Sequence, residues 1–223
     1  MREIVLDTET TGLDPADGHR IVEVACLELF NHLPTGKTFQ RYVDPEREIP
    51  EEARAVHGIG AEQLAGKPKF GEIADELLAF LEDAPLVIHN ADFDIGFLNA
   101  ELVRLGRPTL PRERAVDTLA LARRKFPGAQ ASLDALCRRF EIDTSARAYH
   151  GALVDCDLLS KVYLELIGGR QATLELASGL APAAGAADGE RPFRPPRPHE
   201  PTPEERAAHE ALVARLKKPV WLA

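Results

Sequence analysis

The run "IVLDTETTGL", Ile4 to Leu13, constrains this chain more than any other stretch of similar length. Its apolar, partly β-branched start reads as a buried strand. An aspartate and a glutamate then follow two positions apart. Side chains alternate faces along a strand, so Asp7 and Glu9 point the same way from Cα atoms roughly 6.5 to 7 Å apart. Carboxylates that converge to about 5 Å repel by about 3 kcal/mol at an effective dielectric of ~20. That is a large part of a domain's net stability. A fold that keeps this pair has to supply something that makes it tolerable.

The residues around it set the fold class. Ile4 to Asp7, Ile21 to Phe30 and Thr38 to Val43 read as strands, the last two joined through the turn-rich "NHLPTGK" as an antiparallel hairpin. Helical periodicity covers Gly71 to Leu81 and Asp92 to Leu105, with the short apolar strand "PLVIHN" between them and another strand end at "RAVDTL". Helices follow at Ser132 to Phe140, with Ser132 as cap, and at about Ala152 to Ile167. Three strands followed by this alternation predict an α/β fold, a mixed five-stranded sheet flanked by helices.

Composition narrows the function classes. The 223 residues are 44% hydrophobic, enough for one sizeable core plus an appendage. No apolar run approaches the roughly 20 residues of a membrane span, and the N-terminus carries no leader pattern. Cys26, Cys137 and Cys156 are widely spaced among apolar neighbours with no Cys-x-x-Cys pair, as expected of reduced thiols in a cytoplasmic protein. The formal net charge of −9 means that a polyanion would be held only locally, or with a partner's help.

Two further acidic stretches matter. In "HNADFDIGFL" a strand ends at His89, Asn90 is placed to cap, and Asp92 and Asp94 open a helix. Carboxylates there also gain roughly 0.3 to 1 kcal/mol from the helix dipole, a purely structural use. In "YHGALVDCDLL", His150 precedes a glycine and Asp155 lies in the following helix, so the two meet only if His150 sits in the preceding loop. Each stretch alone is compatible with a solvated or capping role. Gathered around one pocket, four carboxylates demand cations, and hard oxygen ligands favour magnesium or manganese. A pair of such ions would relieve the Asp7 and Glu9 repulsion and support phosphoryl transfer. A nearby histidine could take a proton from the attacking water.

"DTETTGL", "HNADFDIGFL" and "YHGALVDCDLL" together resemble the three motifs of the DEDD exonuclease superfamily. The His-x4-Asp spacing of His150 and Asp155 is that of its histidine branch, DEDDh. Tyr149 lies six residues before Asp155 and does not fit the tyrosine branch. "VHGI", "SLDALCRRFEID", "VYLELIGG" and the terminal "AAHEALVARLKKPVWLA" extend the similarity to the epsilon, or proofreading, subunits of bacterial DNA polymerase III. The resemblance implies a ribonuclease-H-like fold, two Mg2+ or Mn2+ ions, and 3′→5′ removal of nucleotides from DNA as 5′-monophosphates. It also implies roles by position. Asp7, Glu9 and Asp155 would ligate metal and contact substrate, and Asp94 would act through an intervening water. His150 would be the general base. Thr10, Glu52 and His57 would hold the terminal nucleotide, although "EEARAVHG" reads on its own as an ordinary polar loop. Asp92 falls at a variable position and is left out of the site.

The C-terminal part has its own organisation: residues 1–170 form the expected catalytic domain, 171–202 a flexible linker, and 203–223 a docking helix and tail. Ala, Gly and Pro dominate the linker, which offers no apolar periodicity. Thr202 is placed as N-cap, Pro203 as first helical residue and Glu205 as the partner in a capping box. Leu212, Leu216 and Trp221 form the apolar part of this segment, as in a tethered peptide that docks on a partner. By resemblance that partner is the polymerase III alpha subunit, and "QATLEL", Gln171 to Leu176, is similar to a sliding-clamp peptide. Three rival readings are a free-standing 3′→5′ ribonuclease, a noncatalytic polymerase–clamp bridge, and a phosphatase or phosphotransferase with Asp7 as nucleophile. In the last, Glu9 stands where a second aspartate is expected, and Asp94 and His150 have no use.

Overall fold

A computed structural model describes residues 1–145, 151–168 and 201–215. Two compact units divide the chain, Met1–Leu174 and Glu175–Ala223. In the first, β1 (Arg2–Thr10), β2 (Ile21–Phe30) and β3 (Leu33–Tyr42) form an antiparallel meander. Three helices follow, α1 (Glu51–His57), α2 (Ala61–Leu64) and α3 (Phe70–Leu81). After them come β4 (Leu86–Ile88), α4 (Ala91–Arg104), β5 (Ala115–Asp117), α5 (Thr118–Lys125), α6 (Leu133–Arg139) and α7 (Ala152–Leu166). The strand order is β3-β2-β1-β4-β5, with β4 parallel to β1 and β5 parallel to β4. This is the expected mixed five-stranded sheet.

Period-two alternation in β1 divides the core. Ile4 and Leu6 pack with Leu86 and Ile88 against Phe70, Leu77 and Leu81 of α3 and Phe97, Leu98 and Leu102 of α4. Val5 and Val87 face the other way, onto Ala152, Cys156, Leu159 and Tyr163 of α7. Each such side chain taken fully out of water contributes roughly 1.5–3 kcal/mol, so a one-residue slip of β1 would forfeit the burial on both faces. The odd-numbered face is therefore the α7 face, and Glu3, Asp7 and Glu9 belong to it. On the outside of α7, Val162, Leu158 and Leu166 pack with Ala122 of α5 and Leu136 and Cys137 of α6.

Three expectations change. β3 begins at Leu33, so most of "NHLPTGK" is strand; the turn is Asn31–His32, both at positive φ as a two-residue hairpin loop requires. β3 is an edge strand, where Pro34 and Gly36 cost little. "EEARAVH" is helix α1 rather than loop, an amphipathic turn with only His57 buried. α5 follows directly from the β5 strand end, its first turn held by Asp117, whose carboxylate accepts from the Leu119 and Ala120 amides. Ser132 caps α6 as expected, accepting from Ala135 N.

In the second unit α8 (Pro203–Ala214) carries the expected capping box: Thr202 Oγ1 accepts from Glu205 N, and Glu205 accepts from Thr202 N. Linker residues 171–200, among them Gln171 to Leu176, lie outside the described residues, as do Leu216 and Trp221.

Candidate active site

Strand β1 and helix α7 build the acidic centre. Oxygen atoms of Asp7, Glu9 and Asp155 all lie within 4.8 Å of one another. Register explains the meeting. Tyr163 on α7 reaches Glu3, with its hydroxyl donating to Glu3 Oε1 at 2.7 Å. Eight residues of helix and four of strand both span about 12–13 Å, so Asp155 arrives over Asp7. Between them the Cys156 thiol is directed at Val5 O and Ala25 O. A β-bulge between Glu9 and Thr10 ends the regular pairing with β2 just beyond the acids.

Asp94 joins from the first turn of α4. It is 2% exposed, and its Oδ1 accepts from both Thr8 N at 2.9 Å and Thr8 Oγ1 at 2.8 Å. Thr8 lies between Asp7 and Glu9 in sequence, so this clamp ties Asp94 to the strand that carries the pair. Asp94 is thus beside the three-oxygen cluster without being one of its members. Asp92, on the same helical turn, points away to an exposed ion pair with Arg112, in keeping with its omission from the site. Asn90 adopts a left-handed conformation at the start of α4 and makes no side-chain cap, contrary to expectation.

The electrostatics fit a cation site. Burial first, then the charges of Asp94, Glu9, Asp155 and Glu23, hold the Asp7 carboxyl well above the usual carboxylate range. Burial pushes Asp94 up to about 7, against the opposing hydrogen bonds from Thr8. Buried like charges at this spacing keep protons unless a cation replaces them. Three convergent carboxylates are the oxygen donor set that magnesium and manganese accept.

Glu23 escaped the sequence reading. It is 1% exposed, pairs with Glu9 across β1 and β2, and accepts from Ala152 N at 3.2 Å and from Gln40 Nε2 at 2.6 Å. It therefore anchors the first turn of the helix that carries Asp155. The available signal was an acid in the middle of the apolar strand "IVEVACLEL".

Thr10, Glu52 and His57 are brought together in a cleft of about 540 Å³ beside Glu9, walled also by Val56 and Phe93. His57 is buried, and its Nδ1 accepts from Ile59 N at 3.0 Å, which places the neutral ring's proton on Nε2. The Thr10 hydroxyl donates to Gly12 O at 2.6 Å. A Cβ at Gly12 would lie 2.3 Å from the His19 ring, so any larger residue there requires that ring to move. Thr11 is fully buried, and its hydroxyl accepts from Arg20 N, so it is not available as the threonine of an aspartyl-phosphate motif. α7 begins at Ala152, which leaves His150 ahead of the helix; His150 itself lies outside the described residues.

Comparisons with known proteins agree with this geometry. Residues 4–163 match a family model described as Exonuclease (RNase T). The chain is 45% identical over 227 residues to the DNA polymerase III subunit epsilon of Rickettsia conorii, covering 99% of each. Among solved structures, it is similar to exonuclease X in complex with 5′-overhanging duplex DNA, at 27% identity and a TM-score of 0.57, covering 74% of this chain and 90% of that one. The fold is also that of the nuclease domain of 3′hExo, a DEDDh family member bound to rAMP: TM-score 0.65 at 18% identity, over 74% of this chain and 91% of that one. The ribonuclease-H-like exonuclease architecture expected from the motifs is therefore the one found.

Proposed function

We infer, from the premise that this chain belongs to the exonuclease family and within it to the epsilon subunits of DNA polymerase III, that its acidic cluster hydrolyses the last phosphodiester of a DNA strand. The activity is 3′→5′ exonucleolytic, as proofreading for the replicative polymerase requires. The observation that carries the site assignment is the convergence of Asp7, Glu9 and Asp155 within 4.8 Å, with Asp94 clamped beside them by Thr8.

Asp7, Glu9 and Asp155 would hold two divalent ions, magnesium or manganese. Divalent metal bound there would supply Lewis acidity and make water more acidic than it is in bulk. The chain's own groups do the rest. Thr8 aims Asp94 at the centre and Glu23 holds the N-terminal turn of α7 in place. His150, just ahead of that turn, would accept the proton of the attacking water, a task suited to an ordinary imidazole pKa near 6.5. The terminal nucleotide would lie in the Thr10, Glu52 and His57 cleft, where Phe93 and Val56 offer apolar surface to a base of any identity. A mispaired end frays more readily, so a site that accepts an unstacked nucleotide discriminates without reading the base.

The C-terminal segment 203–223 would dock on the polymerase alpha subunit and Gln171 to Leu176 on the sliding clamp, in the cytoplasm. Tethering raises the local concentration of an acidic nuclease at the primer end. Incubation with a 3′-labelled mismatched primer and magnesium tests the reaction. Labelled 5′-mononucleotide is expected; intact primer, or internally cut fragments, would refute it. Deletion of residues 203–223 should leave nucleotide release intact and abolish co-elution with the polymerase. Unchanged co-elution removes the docking role.

A further inference from the structure

The acidic cluster has two flanks. On the Glu9 side lies the cleft of Thr10, Glu52 and His57. On the Asp7 and Asp155 side lies a second open cleft, of about 630 Å³, whose walls include His89, Arg123, Gln130, Ser132 and Asp134. A linear strand whose last phosphodiester rests on the acids, and whose final nucleotide fills the first cleft, has to run out through the other. That strand carries a charge at every phosphate, whereas the cluster and Asp134 are acidic. A cation is needed where it enters.

Arg123 is placed to be that cation. It follows the fully buried Ala122 of α5 and shares a helical face with Leu119, four residues earlier, and both line this cleft. Several other arginines are tied to acids: Arg2 with Glu28, Arg20 with Glu101, Arg41 with Glu76, Arg107 with Asp75 and Arg112 with Asp92. Arg123 is exposed and, among the described residues, has no ion pair. His89, held by a 2.9 Å contact between its Nδ1 and Thr118 Oγ1, lies close enough to feel both Arg123 and Asp155. The guanidinium and the catalytic acids therefore face one space.

We propose that this second cleft binds the sugar–phosphate backbone immediately upstream of the scissile bond, with Arg123 as its phosphate contact. The proposal rests on the exonuclease reading above. A guanidinium gives a phosphate two parallel charge-assisted hydrogen bonds. Such a contact positions the strand without reading its sequence, which suits an enzyme that must remove any nucleotide.

The test compares two substrates of the full chain and of Arg123→Gln. One is a single-stranded oligonucleotide. The other is the p-nitrophenyl ester of thymidine 5′-monophosphate, in which p-nitrophenolate replaces the whole upstream strand as leaving group. For the variant, kcat/KM on the oligonucleotide should fall about tenfold, the size of one hydrogen bond to a charged group. Its salt dependence should become shallower by about 0.7 in log–log slope, and ester hydrolysis should stay within about twofold of wild type. A methylphosphonate at the phosphate next upstream should weaken wild type and leave Arg123→Gln unchanged. Equal losses on ester and oligonucleotide, no loss on either, or equal methylphosphonate effects in both proteins would overturn the proposal. A wild-type protein that cleaves neither substrate would overturn the exonuclease reading and this proposal with it.

Discussion

The two ends of one face of β1 bury acids under opposite rules. At the beginning, Glu3 accepts the Tyr163 hydroxyl and lies 2.6 Å from His32 Nδ1, while the His32 and Tyr163 rings meet edge to face. At the far end, the charges that act on Asp7 are Asp94, Glu9, Asp155 and Glu23, all of like sign. The same strand and the same helix α7 make both sites. One acid has a hydroxyl donor and an imidazole against it, both supplied by the fold, and belongs to the structure. The other group is left with net repulsion, which a bound cation would relieve, and is the group proposed for the reaction. A buried acid identifies a functional site when its neighbours fail to neutralise it.

The largest break in this contrast comes from Asp7→Ala or Glu9→Ala. Loss of a carboxylate proposed to hold metal should remove several kcal/mol of transition-state stabilisation, so nucleotide release should fall by about 10³-fold or more. Melting in chelator should be unchanged or raised, because repulsion goes with the carboxylate. If both variants unfold, the two ends of β1 follow one rule after all.

Asp94→Asn sharpens the comparison through pH. The Asp94 carboxyl is raised to about 7 in the folded state, so between its unfolded value near 4 and about pH 7 the folded chain binds a proton that the unfolded chain has lost. Its contribution is full below pH 4 and lost as pH rises to 7, several kcal/mol at most. In chelator, wild type should therefore lose stability relative to Asp94→Asn across that window, as followed by urea unfolding at fixed pH values. Parallel profiles would contradict the shift.

At the structural end, Glu3→Ala leaves the Tyr163 hydroxyl without its acceptor, and should cost about 1–3 kcal/mol in unfolding free energy. Activity per folded molecule should not change. A matching loss of turnover would mean that this end also serves the reaction. The smallest effect is expected of Asp92→Asn. Its ion pair with Arg112 joins side chains 78% and 39% exposed, so stability should move by less than about 1 kcal/mol and activity by less than twofold. A large loss of activity would return Asp92 to the site.

Much of this was legible before any coordinates. Asp7 and Glu9 share a face because strand alternation is local, and Thr202 to Glu205 cap α8 because a capping box spans one turn. Elements whose signals depend on context were misread. The first half of β3 looked like a turn because Pro34 and Gly36 stand in it, and only its position at the sheet edge makes them harmless. α1 looked like a loop because one residue of its seven is buried. α5 was missed because it follows its strand without a break and is only eight residues long. Glu23 carried no motif at all, since its importance arises from lying across from Glu9 and beneath Ala152.

The sequence alone determined which residues could share a face, that α6 and α8 open on side-chain caps and, through resemblance, which acids to look for together. Only the tertiary structure decided that Asp155 lies over Asp7, that Thr8 rather than a helix cap receives Asp94, and that Arg123 shares a cleft with Asp7 and Asp155. The division has a physical cause. Facing and capping follow from backbone geometry within a few residues, whereas the meeting of distant charges depends on how strand and helix rises match across a packed core.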